Sequence, residues 1–281
     1  MPEGPEVRRE ADRIARVLVG TVLDHVEFGL PRLAPFAAGL IGQTVLAIDT
    51  HGKALLTRFA DGRTLYSHNQ LYGKWYVCRR DRPPRTSRSL RVGLHTTTHS
   101  ALLMSASSIE LLDTDALAAF PPLSRLGPDI LAAGLTWRVI AERLLSAHFS
   151  GRALAGIYLD QAFIAGIGNY LRSEILFAAA VHPLLRPRDL GRADIGRLAR
   201  ATLDISRRAY ETAGVTNSPA HVLRLQRAGL PRRVWRFAVF ERAGDACQRC
   251  GTPIERIEAT GRRLYLCPDC QPSSPVVSRP R

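Results

Sequence analysis

The residues in this chain whose types and spacing suit chemistry begin at its start, Met1-Pro2-Glu3-Gly4-Pro5-Glu6. A small second residue such as proline permits removal of the initiator methionine, which turns residue 2 into a free secondary amine. A secondary amine beside a carboxylate can attack an aldehyde-like carbon and form an iminium while the carboxylate manages the proton. A free α-amine titrates at roughly 7.7–8.0 against about 10.4 for lysine, so more of it is nucleophilic at neutral pH. Proline's own amine is somewhat more basic, which makes that advantage an upper limit. The plain alternative is a frayed, proline-stiffened terminus.

A second group is Cys247-x2-Cys250 and Cys267-x2-Cys270, with sixteen residues between the pairs. Each pair is a knuckle that supplies two thiolates to a tetrahedral zinc ion, and four thiolates close the coordination sphere, so the zinc is structural. Two disulfides are the alternative, disfavoured in a reducing compartment. The fifth cysteine, Cys78, stands in the alternating run Trp75-Tyr76-Val77-Cys78 and reads as a half-buried strand residue. A third group, Gly166-Ile167-Gly168-Asn169, precedes a helical pattern. A glycine-rich turn opening a helix lets backbone N–H groups approach a phosphate, and Asn169 would add an N-cap side chain; a tight interhelical turn is the alternative.

Thirty-nine Lys and Arg against 25 Asp and Glu give a formal net charge of +14, most of it arginine spread along the whole chain. That surplus suits a polyanion, because each neutralised phosphate releases counterions. No apolar stretch approaches the ~20 residues of a membrane span, and no signal segment opens the chain, so a cytoplasmic location is expected.

The elements that must position these groups fall into an α+β arrangement. Residues 6–19 carry helical spacing through Val7, Ala11, Ile14 and Leu18, closed by Gly20. Strand patterns follow at 44–49, Ala54–Phe59, 65–68, 75–78 and Leu90–His95, predicting an antiparallel sandwich, with 79–88 as an exposed basic loop. Helical periodicity returns at 136–148, 169–180 and 193–213. Residues 218–233 read as a basic irregular linker or mobile loop, Glu255–Ala259 and Arg262–Leu266 as a hairpin through Thr260-Gly261, and 272–281 as a disordered tail. The expected domains are 1–122, 123–234 and 235–271, followed by that tail.

Taken together, Pro2-Glu3, the lysine in His51-Gly52-Lys53, the Gly-Ile-Gly-Asn helix entry and the terminal four-cysteine ribbon resemble the formamidopyrimidine-DNA glycosylase/endonuclease VIII family. The likeness spans residues 1–271. Gly4, the run Thr-Leu-Tyr-Ser-His-Asn-Gln-Leu-Tyr at 64–72, and residues 160–176 resemble its bacterial endonuclease VIII branch. The resemblance implies a β-sandwich with an N-terminal helix, a helix–two-turn–helix domain and a zinc ribbon. It also implies a monomeric, nucleoid-associated glycosylase and AP lyase acting on damaged duplex DNA, with one structural zinc and no organic cofactor.

Glycosylases flip the damaged nucleotide out of the stack, and the gap costs a few kcal/mol unless filled. Gln70-Leu71-Tyr72 offers an amide, an apolar wedge and an aromatic face for that purpose; the alternative is an ordinary β-turn with Leu71 buried. By resemblance, Pro2 attacks C1′, Glu3 is the general acid/base, and Lys53 assists β-elimination near the scissile phosphate, though a lysine there also suits a solvated strand edge. Arg262, with Arg263 adjacent in register, clamps phosphate and supports δ-elimination. Asn169 and Arg125 match backbone contacts, and Glu6 and Glu174 match acidic positions near the pocket. The implied substrates are oxidised pyrimidines. Oxidised purines, or damage binding without chemistry, are the rival readings.

Overall fold

The computed structural model describes residues 2–273, so the expected tail lies outside the described residues from 274 onward. The chain divides into two compact units, Met1–Arg125 and Leu126–Arg281, with the helical segment and the ribbon together in the second.

The first unit opens with α1, Gly4–Leu18, two residues earlier than periodicity predicts because Glu3 and Glu6 form a capping box and Pro5 stands in the first turn. Its stripe Val7, Ala11, Ile14 and Leu18 is fully buried. Eight strands follow: β1 His25–Phe28, β2 Val45–His51, β3 Ala54–Phe59, β4 Thr64–His68, β5 Lys74–Arg79, β6 Leu90–His95, β7 His99–Met104 and β8 Ser108–Leu112. They form two antiparallel four-stranded sheets, ordered β1-β6-β7-β5 and β2-β3-β4-β8. Both sheets send side chains into one core, among them Val92, Leu94, Leu103 and Trp75 from the first and Leu55, Phe59, Leu65 and Ile109 from the second. Each such aliphatic or aromatic residue contributes about 1.5–3 kcal/mol on burial, which is what makes the sandwich stable. The opposite face of the second sheet is covered by short helical turns at Thr114–Ala119 and Pro121–Ser124, through Tyr66, Leu117 and Phe120. Strands β1, β7 and β8 are not evident in the sequence pattern, since β7 is buried along most of its length and does not alternate.

The second unit is built on α2 Trp137–Leu145, α3 Asn169–Ala178 and α4 Arg192–Glu211. The longest of these, α4, buries Ile195, Leu198, Ala199 and Leu203 at helical spacing. The basic stretch 218–233, expected to be irregular, instead contains α5 Pro219–Arg227 and the start of α6 Arg232–Trp235. Ser218 caps α5, its hydroxyl accepting from the His221 N–H at 3.4 Å. Neither helix buries a residue, so neither leaves an apolar periodicity to read. The ribbon pairs β9 Glu255–Ala259 with β10 Arg262–Leu266 through a two-residue turn in which Thr260 and Gly261 both have positive φ, 56° and 68°.

Candidate active site

In the first unit, Glu3 is buried at 4% exposure as the N-cap of α1, and its N–H donates to Glu6 Oε2 at 3.1 Å. Glu6 therefore fixes the peptide that follows Pro2, a positioning contact that a helix-face ion pair would not make. Lys53 lies in the two-residue turn between β2 and β3 and not on a strand edge. Gly52, at φ 63°, supplies the first turn position. Register places this turn beside the end of β4, since Ala54 pairs with His68. Burial, and then the Lys53 ammonium, hold His68 below the ordinary histidine range. His68 is accordingly neutral, and its Nδ1 accepts the Gln70 N–H at 3.0 Å.

The segment after β4 is a projecting finger. Leu71 is 65% and Tyr72 70% exposed, which overturns the alternative of a turn with Leu71 buried. Its base is tightly held. The Gly73 N–H donates to the Asn69 carbonyl at 2.7 Å, and a Cβ on Gly73 would stand 2.5 Å from that same oxygen. Ser107 Oγ donates to Gln70 Oε1 at 2.6 Å, and Arg88 Nη1 donates to the Tyr72 carbonyl. Glu10, on α1, accepts from Asn69 Nδ2 at 2.6 Å and from the Trp75 N–H at 3.0 Å. Burial raises the Glu10 carboxyl while these two hydrogen bonds oppose the rise. One helix thus carries the Pro2-Glu3 terminus at its start and the anchor of the finger two turns on. Sequence reading missed Glu10, although a carboxylate inside the stripe Val7, Ala11, Ile14 was its visible sign.

Acid should loosen this unit. His68 and His95 both titrate below 6.5, each mainly through burial. Below pH 6.5 the unfolded chain therefore binds protons that the native state refuses, so the stabilisation present above 6.5 is lost as pH falls towards the native values. The melting temperature of the first unit is expected to drop between pH 7 and pH 5 in calorimetry, with a shallower drop in His68→Gln. An unchanged slope in that variant would contradict the assignment to His68.

In the second unit, Gly166 turns the chain at φ 102°, and Gln161 braces the turn, accepting from the Gly166 N–H at 3.1 Å and donating to the Ile167 carbonyl at 2.9 Å. The N-cap of α3 is Gly168, so Asn169 is the first helical residue and not the cap. Its Oδ1 instead accepts from Arg172 Nη2 at 2.7 Å. Arg172 is fully buried, and its Nη1 donates to the Ala155 carbonyl at 3.0 Å and to Thr260 Oγ1 at 3.2 Å. It thereby joins the helix entry to the tip of the ribbon hairpin, where Arg262 and Arg263 are exposed. An arginine among apolar helical residues was its only sequence sign. Arg125, exposed, is the last residue of the first unit.

Glu174 is buried and accepts from the N–H groups of Ala238, Val239 and Phe240, each at 2.8 Å, and from Thr216 Oγ1. This is a brace for the segment leading into the ribbon. Glu174→Ala would orphan the two buried N–H groups of Ala238 and Val239, at about 1–3 kcal/mol each, and the half-buried one of Phe240, so a loss of at least ~2 kcal/mol is expected in urea unfolding. A loss below ~1 kcal/mol would show that water replaces the carboxylate there.

The four cysteine sulfurs lie within 4.8 Å of one another, with Cys247–Cys270 at 3.9 Å and Cys250–Cys267 at 3.4 Å. Thiolates around a tetrahedral zinc at ~2.3 Å sit about 3.8 Å apart, so the set fits the ion and none is a disulfide. Within the first knuckle, Arg249 donates to the Phe177 and Ala178 carbonyls at 2.9 and 3.1 Å, a cation on the last turn of α3. Gln271 Nε2 donates to the Val181 carbonyl at 2.9 Å. The ribbon is therefore fastened to the last turn of α3 through its first knuckle and to Val181, just past that helix, through the residue after its second.

A β-sandwich with a buried Glu3 at the start of its first helix, a glycine-turn helix entry and a four-cysteine ribbon define a known class, and the chain belongs to the formamidopyrimidine-DNA glycosylase family. The family's N-terminal domain matches residues 1–107, its H2TH domain residues 126–219, and the zinc finger found in FPG and IleRS residues 244–272. Within it the chain is similar to proteins named Endonuclease 8. That of Pectobacterium atrosepticum is 45% identical, and that of Escherichia coli K12 46%, each over 96% of this chain and all of the relative. Among solved structures, Lactococcus lactis Fpg with abasic-site DNA superposes at a TM-score of 0.78 with 22% identity, covering 96% of this chain and 99% of that one. The same enzyme with DNA containing an oxidised pyrimidine gives 0.78 at 23% identity, covering 96% and 100%. The ribbon accordingly holds one structural zinc ion. No helix among the described residues is long and apolar enough to cross a membrane.

Proposed function

We propose that this chain is a bifunctional DNA glycosylase and AP lyase of base excision repair that removes oxidised pyrimidines. The observation that carries the reading is the joint anchoring on α1 of the Pro2-Glu3 terminus and, through Glu10, of the exposed Leu71-Tyr72 finger. The relatives named Endonuclease 8 support it at full length.

In this reading Leu71 and Tyr72 fill the gap left by the flipped nucleotide, with the Gln70 amide held by Ser107. The Pro2 amine attacks C1′, and the base departs as Glu3 manages the proton, leaving an iminium to the opened sugar. β-Elimination, assisted by Lys53, breaks the C3′–O bond, and δ-elimination, supported by Arg262, breaks the C5′–O bond, leaving a one-nucleotide gap. Asn169 and Arg125 bind the backbone, and Glu6 and Glu174 act by positioning. The zinc fixes the hairpin that carries Arg262 and takes no part in bond making. The protein works as a monomer in the cytoplasm, on the nucleoid.

Borohydride trapping tests this. Wild type with a thymine-glycol or abasic duplex should yield a covalent protein–DNA adduct. Normal yield from Pro2→Gly would sink the proline assignment, and no adduct from the processed wild type would favour a damage-binding protein. Faster release of 8-oxoguanine than of thymine glycol would assign it to oxidised purines.

A further inference from the structure

The connection from β5 to β6 is not used by the chemistry above, yet it holds the densest run of arginine in the chain. Residues 79–88 contain Arg79, Arg80, Arg82, Arg85 and Arg88 against Asp81 alone, a net +4. Asp81 reaches Arg79 at 3.1 Å and Arg82 at 4.0 Å, with the Arg82 side chain still 80% exposed.

The course of this connection follows from register. Both β5 and β6 pair antiparallel with β7, so they run in the same direction. Arg79 is opposite His99 at one end of β7, whereas Lys74 and Leu90 are both opposite Met104 at the other. The chain must therefore travel back along the full strand between 79 and 90. It is tied down at both ends: the Arg80 N–H donates to the Thr98 carbonyl at 2.8 Å, and the Ser105 N–H to the Ser89 carbonyl at 2.8 Å. Five intervals at ~3.4 Å make this path about 17 Å long.

The near end of the path touches the finger, where Arg88 donates to the Tyr72 carbonyl. Its far end opens on a cleft of about 540 Å³ lined by Arg79, Arg80, Asp81, Thr97, Thr98 and His99. There Arg80 Nη1 is buried without a hydrogen-bond partner, while another of its nitrogens lies 3.6 Å from Asp24. A lining guanidinium with one unpartnered nitrogen keeps hydrogen-bonding capacity for an anion entering the cleft.

We propose that residues 79–88 form a backbone track for duplex DNA that starts at the finger and runs outward to the Arg80 cleft. The proposal rests on the finger entering the duplex. A path of about 17 Å along the helix axis faces about five phosphates of one strand, spaced at 3.4 Å. Exposed guanidinium groups such as Arg82 and Arg85 meet phosphates without base readout, so the track adds affinity and not sequence preference.

The test crosses a protein variant with a DNA truncation, using the full zinc-loaded chain, fluorescence anisotropy and a duplex bearing a central abasic-site analogue. Arg82→Ala/Arg85→Ala should lower the slope of log affinity against log salt by about 1.8, at ~0.9 per phosphate, and Arg82→Lys/Arg85→Lys should restore it. Shortening the duplex by about five base pairs on one particular side should weaken wild type and leave the double alanine variant little changed. An unchanged salt slope, or equal sensitivity of both proteins to truncation on either side, would overturn the track. Wild type that forms a borohydride adduct while showing those results would retain the catalytic reading and lose only the track. Failure of wild type to bind the duplex at all would overturn both.

Discussion

A chain that keeps Met1 should give no borohydride-trapped adduct with an abasic duplex, and removal of that one residue should restore the adduct in full. The nitrogen of Pro2 in a Met-Pro peptide shares its lone pair with the carbonyl, as every amide nitrogen does, and has nothing to offer C1′. The effect is therefore all-or-none and exceeds the roughly 10²–10⁴-fold expected from losing the acid/base function of Glu3 alone. Intact-mass spectrometry of one preparation gives the fraction starting at Pro2, and trapping gives the fraction competent to react. The two should agree across preparations with different degrees of processing. Adduct yield independent of Met1 would remove Pro2 from the mechanism.

Removal of zinc should be nearly as damaging, by a different route. Thiolate–zinc binding of about 10–16 kcal/mol matches or exceeds the roughly 5–15 kcal/mol that holds a typical domain together. Without the ion the knuckles open, Arg249 leaves the last turn of α3, and the Thr260-Gly261 hairpin loses the support that presents Arg262. A chelator should abolish strand cleavage and change the near-ultraviolet dichroism. The melting transition of the first unit should survive, because its core contains no ribbon residue. Full activity in protein shown by elemental analysis to lack zinc would contradict this.

Much of this molecule is legible in its sequence. Cysteine spacing marked the ribbon, and two positive-φ residues in its turn were foreshadowed by Thr260-Gly261. The stripe of α1 was readable because an amphipathic helix repeats every 3.6 residues. What escaped was whatever lacks a period. Helices α5 and α6 bury nothing, and β7 buries both faces, so neither shows alternation. The site divides along the same line. Pro2, Glu3 and the cysteines announce themselves by type and spacing. Glu10, Arg172 and Arg249 act through partners dozens of residues away, such as Asn69 for Glu10, Thr260 for Arg172 and Phe177 for Arg249. Asn169 is conspicuous by type, yet the glycine before it provides the cap, so its side chain turns to Arg172 instead.

The Glu10 carboxylate also bears on how such a protein can be altered. Because it holds both Asn69 and the start of β5, the finger cannot be exchanged as a loop cassette. A foreign finger inserted between Asn69 and Trp75 inherits a helix that expects an amide and an N–H at two fixed places, and a floor at Gly73 that admits no side chain. Residues 10, 69, 73 and 75 form one heritable unit although sixty residues of chain separate the first from the others. Transplants that move all four together should fold and present the new finger in its own geometry. Those that move only residues 70–72 should carry a new fingertip on an old grip.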